Sequence, residues 1–532
     1  MRISVYSAFL LVLPLLSCTN VSVPKKRPNI LFVISDDQSH IHTGFSGSTY
    51  INTPGFDRIA KEGIYFSNCY AGSPGCAPSR SSIVTGRYPW QNEQSGQHAS
   101  SWLKKYVPFV DELQSNGYAI GRSGKGVAPF RYARNESDSL WRVGDAAGPL
   151  FDSVKYDDQS DERTATGEDM EDYASNFKDF LKNHRGDKPF FYWFGAREPH
   201  RMFEKGSWKK NGKRLEDVVV PEFLPDTDEV RGDLLDYAVE IEWFDLHLQR
   251  MIKYLEEIGE LENTIIIVTS DNGMDFPRAK ANCYEYGVHV PFAIRFPKQI
   301  KGNQICKTPI SFIDIAPTFL EITGTKPKQM MPITGKSIWK LFTSGKSDQE
   351  KAVFSGRERH TSARYNNLGY PQRCVRKGDY LFIWNMKPER YPAGAPIMYK
   401  NESTKLTPLY GLDENGKFAY DGVFADIGPS PTKSNIIENH KTKVGSEFFH
   451  LSTDKRPEFE LYDVVKDPFC LNNLTKKQEL SSIEHNLKQI LLNELKRTND
   501  PRIVGPNPDI FDTYKRYMNI RKYPIPSSEG NQ

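Results

Sequence analysis

Cysteine is scarce in this sequence, and the cysteines present lie far apart. The chain contains Cys18, Cys69, Cys76, Cys283, Cys306, Cys374 and Cys470. No two of them form a Cys-x-x-Cys pair, so the pattern indicates neither a zinc site nor a framework of disulfide bonds. Single disulfides among the cysteines other than Cys18 and Cys76 stay open, because spacing alone does not assign them.

The chain also lacks an excess of charge of one sign. Its 70 basic and 67 acidic residues are well mixed and give a net charge of +3. This balance argues against a nucleic-acid-binding or polybasic membrane-binding surface, although small positive clusters can still bind an anionic substrate. With 532 residues, 38% of them hydrophobic, the chain is long enough for two domains, one of them large.

An apolar run long enough to span a bilayer is missing from the N-terminal sequence MRISVYSAFLLVLPLLSC. The run follows Arg2 and ends at Leu16, which is typical of a secretory signal. The tetrad that ends in Cys18 resembles a bacterial lipoprotein processing site, with ordinary signal cleavage nearby as the alternative. We therefore expect a signal peptide over 1–18, a linker over 19–27, and an exported bacterial protein, periplasmic or surface-anchored through a lipid on Cys18.

Three continuously apolar runs, at residues 30–34, 190–194 and 264–269, predict central parallel strands that are covered on both faces. Between the last two runs, apolar residues recur every three or four positions over 230–255, which predicts one long helix with a buried stripe. Strands that alternate with helices indicate an α/β fold with a largely parallel sheet.

A change in composition marks a predicted domain boundary. Lys, Pro, Gly and Ser become frequent over 325–350, and we place a catalytic α/β domain at 28–345 and a smaller domain at 346–532. In the smaller domain, KGDYLFIWNM and FELYDVVKDP are typical of strands of an antiparallel sheet. Residues 481–495 predict a helix packed on that sheet.

Polar residues follow each predicted central strand. Asp36 and Asp37 come after the first, residues 197–201 after the second, and Asp271 and Asn272 after the third. In open α/β sheets the ligand site lies at the carboxyl ends of the strands, so we expect these side chains to meet. One Asp-Asp pair is more often a turn or a helix cap, but two oxygen-rich clusters on neighbouring strands favour Ca²⁺ or Mg²⁺ over zinc.

The stretch GSPGCAPSRSSIVTGRYP, residues 72–89, places Cys76 in a loop that opens a predicted helix. Arg80 lies one helical turn later and can return to the same helix end. Ser79 and the free N–H groups of the first turn favour an anion. A metal, an arginine and a helix N-terminus around one small side chain indicate chemistry on a tetrahedral oxyanion. An ordinary thiolate suits a hard metal poorly.

The motif Cys-Ala-Pro-Ser-Arg, followed by SIVTGR, resembles the signature of the sulfatase family, Cys-x-Pro-Ser-Arg. The stretches PNILFVISDD, PFFYWFGAREPHR, IIIVTSDNG and ELYDVVKDP resemble other family segments in the family's order. The resemblance implies an alkaline-phosphatase-like fold with a smaller C-terminal sheet domain. It also implies that a maturation enzyme oxidises Cys76 to formylglycine, whose hydrate attacks the sulfur atom of a sulfated saccharide.

The same resemblance implies roles for the remaining site residues. Arg80 would stabilise the sulfate oxygens, Lys125 and Lys280 would bind the sulfate, and His200 would protonate the leaving group. The implied ligands of Ca²⁺, or of Mg²⁺ as the alternative, are Asp36, Asp37, Asp271, Asn272 and the residue formed from Cys76. Taken singly, Lys125 would be a solvated surface lysine and His200 a loop histidine.

One departure from the family pattern concerns a second active-site histidine. Many sulfatases read Gly-Lys-x-His where this chain reads Gly-Lys-Gly-Val at 124–127. That histidine is therefore missing or is supplied from elsewhere in the chain.

Within the family, the chain resembles the heparan N-sulfatases, or sulfamidases. The similar stretches are QNEQSGQH, REPHR, VVVPEFLPDTDEVRGDLLDY, SDNGMDFPRAK and GRERHTSARYNNLGYPQR. On this resemblance His98, His360 and Arg364 are candidates for holding the sugar, with a structural or solvent-facing role as the alternative. N-sulfated glucosamine of heparin or heparan sulfate is then the expected substrate. The alternatives are a 6-O-sulfated amino sugar or another sulfated glycan, a phosphonate or phosphodiester, and a glycan bound without catalysis.

Overall fold

The computed structural model describes residues 27–132, 142, 144–157, 163–344, 348–400 and 404–526. The predicted signal peptide with Cys18, almost all of the predicted linker, and the predicted domain boundary at 345 and 346 lie outside these residues. Within the described ranges, no helix has both the length and the apolar character needed to cross a membrane.

The strands of the described ranges lie in three sheets. In chain order they are β1 (Asn29–Ser35), β2 (Ile64–Phe66), β3 (Cys69–Tyr70), β4 (Ala119–Gly124), β5 (Phe190–Gly195), β6 (Thr264–Ser270), β7 (His289–Val290), β8 (Phe292–Arg295), β9 (Gln304–Cys306), β10 (Ile310–Ser311), β11 (Val353–Arg357), β12 (Gln372–Lys377), β13 (Tyr380–Asn385) and β14 (Phe459–Asp463).

The helices flank the sheets and fill the connections. They are α1 (Pro54–Glu62), α2 (Cys76–Thr85), α3 (Phe109–Ser115), α4 (Tyr173–Asp179), α5 (Ser207–Lys210), α6 (Asp228–Glu257), α7 (Glu285–Val288), α8 (Ile315–Thr323), α9 (Trp339–Ser344), α10 (Pro431–Glu438), α11 (Lys443–Thr453), α12 (Ser481–Arg497), α13 (Pro501–Val504) and α14 (Ile510–Thr513). The long helix predicted over 230–255 is α6, which begins at a Thr227 side-chain cap on the N–H of Val230.

The main sheet has the strand order β4-β5-β1-β6-β8-β2-β9. Its first four strands pair in parallel, as the three apolar runs predicted. Strand β8 is antiparallel to both of its neighbours. Its four residues are all buried, and so short an apolar run does not indicate whether the strand is parallel or antiparallel to its neighbours. The largely parallel α/β sheet is confirmed.

Alternate residues of β1 belong to two different hydrophobic cores, one on each face of the main sheet. Phe32 packs with Phe109 of α3 and Phe319 of α8. Val33 lies in the second core with Phe244 of α6. Because both faces are covered, all seven residues of the strand are buried, and those between Asn29 and Ser35 are apolar. This double cover leaves the carboxyl end of the strand as the place where polar residues can converge.

The smaller antiparallel sheet, β11-β12-β13-β14, lies in the C-terminal part of the chain, as expected. Leu487 and Leu491 of α12 pack on Val375 of β12 and Phe382 of β13, which confirms the predicted helix on this sheet. Trp90, shortly after α2, is buried in the same core. The small sheet is therefore joined to the segment that carries α2.

Candidate active site

The carboxyl ends of β1 and β6 bring four polar side chains together. The two strands pair in register up to Ser35 and Ser270, so the residues that follow each strand are neighbours. The backbone N–H of Asp37 donates to Asp271 Oδ1 at 3.1 Å, and Asn272 Nδ2 donates to Asp37 Oδ1 at 2.7 Å. Asp36, Asp37, Asp271 and Asn272 are all buried.

Helix α2 begins at Cys76 and points its N-terminus at this cluster. Arg80, one turn into the helix, donates from Nε to Asp271 Oδ2 at 2.6 Å, and Ser79 Oγ donates to the carbonyl oxygen of Asp271 at 2.6 Å. The possible metal-binding atoms of Asp36, Cys76 and Asp271 all lie within 4.8 Å of one another. The helix is thus tied to the strand end, with Cys76 at the centre of the cluster.

Three basic side chains face the same carboxylates. Lys125, directly after β4, pairs its Nζ with Asp36 Oδ2, and Lys280 pairs its Nζ with Asp37 Oδ2. His200 Nε2 lies 3.9 Å from Asp37 Oδ2. The other ring nitrogen of His200 lies 2.6 Å from the carbonyl oxygen of Arg201, which orients the imidazole. The structure therefore brings together residues from five separate parts of the chain, at 36–37, 76–80, 125, 200 and 271–280.

The electrostatics of the cluster favour a bound cation. Burial raises the pKa of Asp37 to about 7 and that of Asp271 to about 6. Burial also opposes ionisation of Asp36, but nearby cations, Lys125 first among them, hold its pKa below its usual range. Burial raises the pKa of Cys76, which keeps its side chain a thiol and argues against a thiolate nucleophile.

The donor set fits a hard divalent cation. Asp36 Oδ1 and Asn272 Oδ1 are buried and have no hydrogen-bond partner among the described residues. An oxygen that is buried without a partner is costly, and a cation in contact with it would remove that cost. Carboxylate and amide oxygens are the ligands that Ca²⁺ and Mg²⁺ prefer. The four residues could therefore hold either ion.

His98 and His360 lie side by side near the helix terminus. Their ring centroids are 5.5 Å apart. The His360 ring lies directly against Gly75, the N-cap of α2. A Cβ atom at Gly75 would lie only 3.3 Å from His360 Cδ2. Burial lowers the pKa of both histidines, and both are neutral near pH 7. Neutral imidazoles can donate one hydrogen bond and accept another, which suits sugar hydroxyl groups.

Arg364, by contrast, is turned toward the protein. Its Nε donates to the carbonyl oxygen of Tyr391 at 2.7 Å, and its Nη2 donates to Asp426 Oδ2 at 2.6 Å. Asp426 Oδ1 in turn lies 3.5 Å from His360 Nδ1. Arg364 thus contacts the carboxylate that supports His360, and direct contact of Arg364 with a sugar stays a prediction.

The sequence interpretation missed Asp426 and Arg516. Arg516 Nη1 donates to the carbonyl oxygen of His360 at 2.9 Å, with the carbonyl oxygen of His98 at 3.5 Å. Both missed residues come from irregular segments late in the chain, where neither periodicity nor a motif marks them. Val127, at the position of the family histidine, is buried and donates its N–H to Asp145 Oδ1 at 2.8 Å.

A cavity of about 410 Å³ opens beside the cluster. Its lining includes Asp36, Lys125 and His200 together with Arg122 and Arg197. Asp36, Asp37 and Asp271 balance the charges of Lys125, Lys280 and Arg80. A cation held by these carboxylates would leave the inner end of the site, next to the N-terminus of α2, attractive to an anion. The arrangement is suited to binding a tetrahedral oxyanion and to protonating a group that leaves from it.

A family model described as Sulfatase matches residues 28–325, more than half of the chain. The chain belongs to the sulfatase family. This sulfatase is 27% identical over 482 residues to an ulvan-active sulfatase of Formosa agariphila, covering 87% of this chain and 73% of that one. It is 24% identical over 516 residues to N-sulphoglucosamine sulphohydrolase of Homo sapiens, covering 91% and 93%.

A solved structure of a protein in complex with its substrate, D-glucosamine-2-N,6-O-disulfate, has the same fold as this sulfatase. The TM-score is 0.60 at 21% identity, with 91% of this chain and 99% of that chain covered. The family and the fold expected from the motifs are therefore confirmed. The chain is an enzyme of the sulfatase class.

Proposed function

We propose that this sulfatase hydrolyses sulfate groups of glycosaminoglycan-type saccharides, with N-sulfoglucosamine of heparin or heparan sulfate as its substrate. The observation that carries the proposal is the position of Cys76, buried at the N-terminus of α2 with Asp36 and Asp271 within 4.8 Å. The similarity to N-sulphoglucosamine sulphohydrolase over nearly the whole of both chains supports the choice of sugar.

The nucleophile in this proposal is formylglycine made from Cys76. When present, its hydrated aldehyde supplies a hydroxyl group that attacks sulfur. Asp36, Asp37, Asp271 and Asn272 would hold a Ca²⁺ or Mg²⁺ ion, which would supply positive charge next to the sulfate oxygens.

The basic residues of the chain bind and orient the sulfate. The ammonium groups of Lys125 and Lys280 are already positioned by Asp36 and Asp37, so little conformational entropy is lost when they bind an anion. Arg80 is fixed by Asp271, while its Nη2 is buried without a partner in the described part of the chain and lies 4.0 Å from Asp36 Oδ1. These charges are in place before the reaction, which is how a protein stabilises developing negative charge.

His200, in its protonated form, is the proposed proton donor to the leaving group. Burial lowers its pKa to about 4 in the free protein, so the proton that it gives would be taken up when the negatively charged substrate binds. Its Nε2 lies on the cluster side of the ring, and the residue also lines the cavity through which a sugar would enter. A proton given to the leaving nitrogen of a sulfamate, or to the leaving oxygen of a sulfate ester, completes cleavage of the bond to sulfur. The catalytic residues therefore do not discriminate between sulfamates and sulfate esters. That specificity would come from the residues that line the cavity.

The test uses enzyme co-produced with a formylglycine-generating enzyme, with conversion of Cys76 checked by peptide mass. The matured enzyme is incubated separately with glucosamine N-sulfate, N-acetylglucosamine 6-sulfate and an aryl phosphodiester, and the products are separated by chromatography. Loss of the N-sulfate is expected. Loss of only the 6-sulfate would contradict the substrate, and faster cleavage of the phosphodiester would contradict the reaction class.

The Cys76→Ala variant is the matched control for these assays. It should fold normally, because the change removes one sulfur atom, yet it should show no turnover of any substrate. Turnover that survives the substitution would contradict a nucleophile at position 76.

A further inference from the structure

Arg122 is a fixed guanidinium at the mouth of the catalytic cavity. It lies on β4, three residues before Lys125, and is half-buried. Its Nε donates to the carbonyl oxygen of Gly148 at 3.0 Å, and its Nη1 donates to the carbonyl oxygen of Gly124 at 2.5 Å. In the described ranges of the chain, no carboxylate forms an ion pair with it. The side chain is therefore held in place while its charge stays uncompensated.

Two cavities meet at Arg122. The catalytic cavity of about 410 Å³ and a second cavity of about 620 Å³ share Arg122, Pro129 and Asp145 in their linings. The carboxylate of Asp145 is turned to backbone N–H groups, since its Oδ1 accepts from Val127 and Ala147. A saccharide that enters the catalytic cavity passes Arg122 and can continue into the second cavity.

Two other arginines that line these cavities, Arg142 and Arg197, already have acidic partners. Arg142 donates to both carboxylate oxygens of Asp111, at 2.6 and 3.0 Å. Arg197 pairs with Asp169 at 2.7 Å, and its side chain is 61% exposed. Arg122 differs from both, because carbonyl oxygens orient its guanidinium without neutralising it. A guanidinium held in this way is well suited to hydrogen bonding with a sulfate or a carboxylate.

We propose that Arg122 binds a second anionic group of the saccharide, a sulfate or a carboxylate, while the sulfate to be removed lies against residue 76. The proposal rests on the proposed function and adds to it a preference for substrates that carry more than one negative charge. The scissile sulfate would be bound by Lys125 and Lys280, deeper in the site, and the second group would lie nearer the entrance.

The experiment compares kcat/KM of the matured enzyme on three substrates. These are glucosamine N-sulfate, glucosamine N,6-disulfate, and a disaccharide of N-sulfoglucosamine and a uronic acid. The wild-type enzyme should prefer at least one doubly charged substrate, and the identity of that substrate tells whether the second group is a sulfate or a carboxylate. Arg122→Gln should reduce kcat/KM on that substrate by about 10- to 100-fold, as expected for lost hydrogen bonds to a charged group.

Two further variants make the comparison specific. Arg122→Lys keeps the charge but not the two-pronged geometry, and it should restore part of the preference. Arg142→Gln removes a neighbouring guanidinium that Asp111 already neutralises, and it should leave the preference unchanged. Melting temperatures of all variants report whether each one folds.

Each contrary outcome is distinguishable. If Arg122→Gln lowers kcat/KM equally on singly and doubly charged substrates, Arg122 only positions the Gly124 backbone and the inference is wrong. It is also wrong if the wild-type enzyme cleaves glucosamine N-sulfate but shows no preference for a second charge. If the enzyme with converted Cys76 cleaves none of the three substrates, the proposed function itself fails, and the Arg122 inference fails with it.

Discussion

Asp426 Oδ1 lies 3.5 Å from His360 Nδ1, while Oδ2 of the same carboxylate accepts hydrogen bonds from Arg357 at 2.7 Å and from Arg364 at 2.6 Å. All of these side chains are nearly or completely buried. Two guanidinium groups thus share one carboxylate, and that carboxylate also orients a histidine of the candidate sugar site. Asp426 is therefore expected to contribute both to the stability of the protein and to substrate binding through His360.

Asp426→Ala should destabilise the protein by about 3–5 kcal/mol, because it leaves two buried guanidinium groups without their partner. It should also raise KM, since His360 loses its support. Asp500→Ala is the matched control, because Asp500 is equally buried and pairs with the buried Arg373, and neither side chain forms a hydrogen bond or ion pair with His98 or His360 among the described contacts. Urea unfolding and steady-state kinetics on both variants check the prediction. An unchanged KM in Asp426→Ala would show that the carboxylate serves stability alone.

Removal of the divalent cation should lower both activity and thermal stability. An ion that binds only the folded state at one hundred times its dissociation constant adds about 2.7 kcal/mol to the free energy of unfolding. The melting temperature of the wild-type protein should therefore fall on chelation and recover when Ca²⁺ or Mg²⁺ is added. The melting temperature of the Asp37→Asn variant should change little on chelation or on addition of either ion. A wild-type melting temperature that is indifferent to both ions would contradict a metal site at Asp36, Asp37, Asp271 and Asn272.

A pH-dependent contribution to stability is expected from Asp245. Its carboxylate accepts hydrogen bonds from the N–H groups of Gly55 and Phe56, both at 2.7 Å, at the start of α1. Burial raises its pKa to about 7 from an ordinary value of 3.8. A carboxyl group with a raised pKa in the folded state contributes most to stability below pH 4, and this contribution is lost as the pH rises toward 7.

Asp245→Asn cannot ionise and should remove this pH dependence. The free energy of unfolding of the wild-type protein should therefore fall relative to that of the variant between about pH 4 and pH 7, as measured by urea titrations at several pH values. Activity at fixed pH should not change, because Asp245 lies on α6 away from Cys76. A constant difference in stability across this range would contradict the raised pKa.

Lipidation at Cys18 is a prediction from the N-terminal pattern alone. A bacterial host fed with a fatty-acid probe should label the wild-type protein and not Cys18→Ala. The same substitution should move the protein from the membrane fraction to the soluble fraction. Cys306→Ala, which changes a cysteine elsewhere in the chain, is the control and should stay labelled. Labelling that survives in Cys18→Ala would contradict the lipoprotein signal.

The fold could be predicted where burial leaves a strong periodic signal. The central residues of β1, β5 and β6 form continuous apolar runs because both faces of the sheet are covered. Helix α6 repeats its apolar stripe over many turns. Strand β8 has four residues, which are too few to reveal its direction. The convergence of Asp36 and Asp271 followed from parallel pairing. The buried environment of Arg364 did not follow, because Asp426 is distant in sequence and no local pattern connects the two.

The carbonyl contacts of Arg516 have a consequence for the order of events during synthesis. Arg516 and Tyr517 close one side of the candidate sugar site, where Arg516 donates to the carbonyl oxygen of His360 and the N–H of Tyr517 donates to the carbonyl oxygen of Ala99 at 2.8 Å. A growing polypeptide on the ribosome therefore lacks one wall of this site until residues 516 and 517 have emerged. Cys76 is buried in the folded chain, so the proposed modifying enzyme would have to reach it before folding is complete.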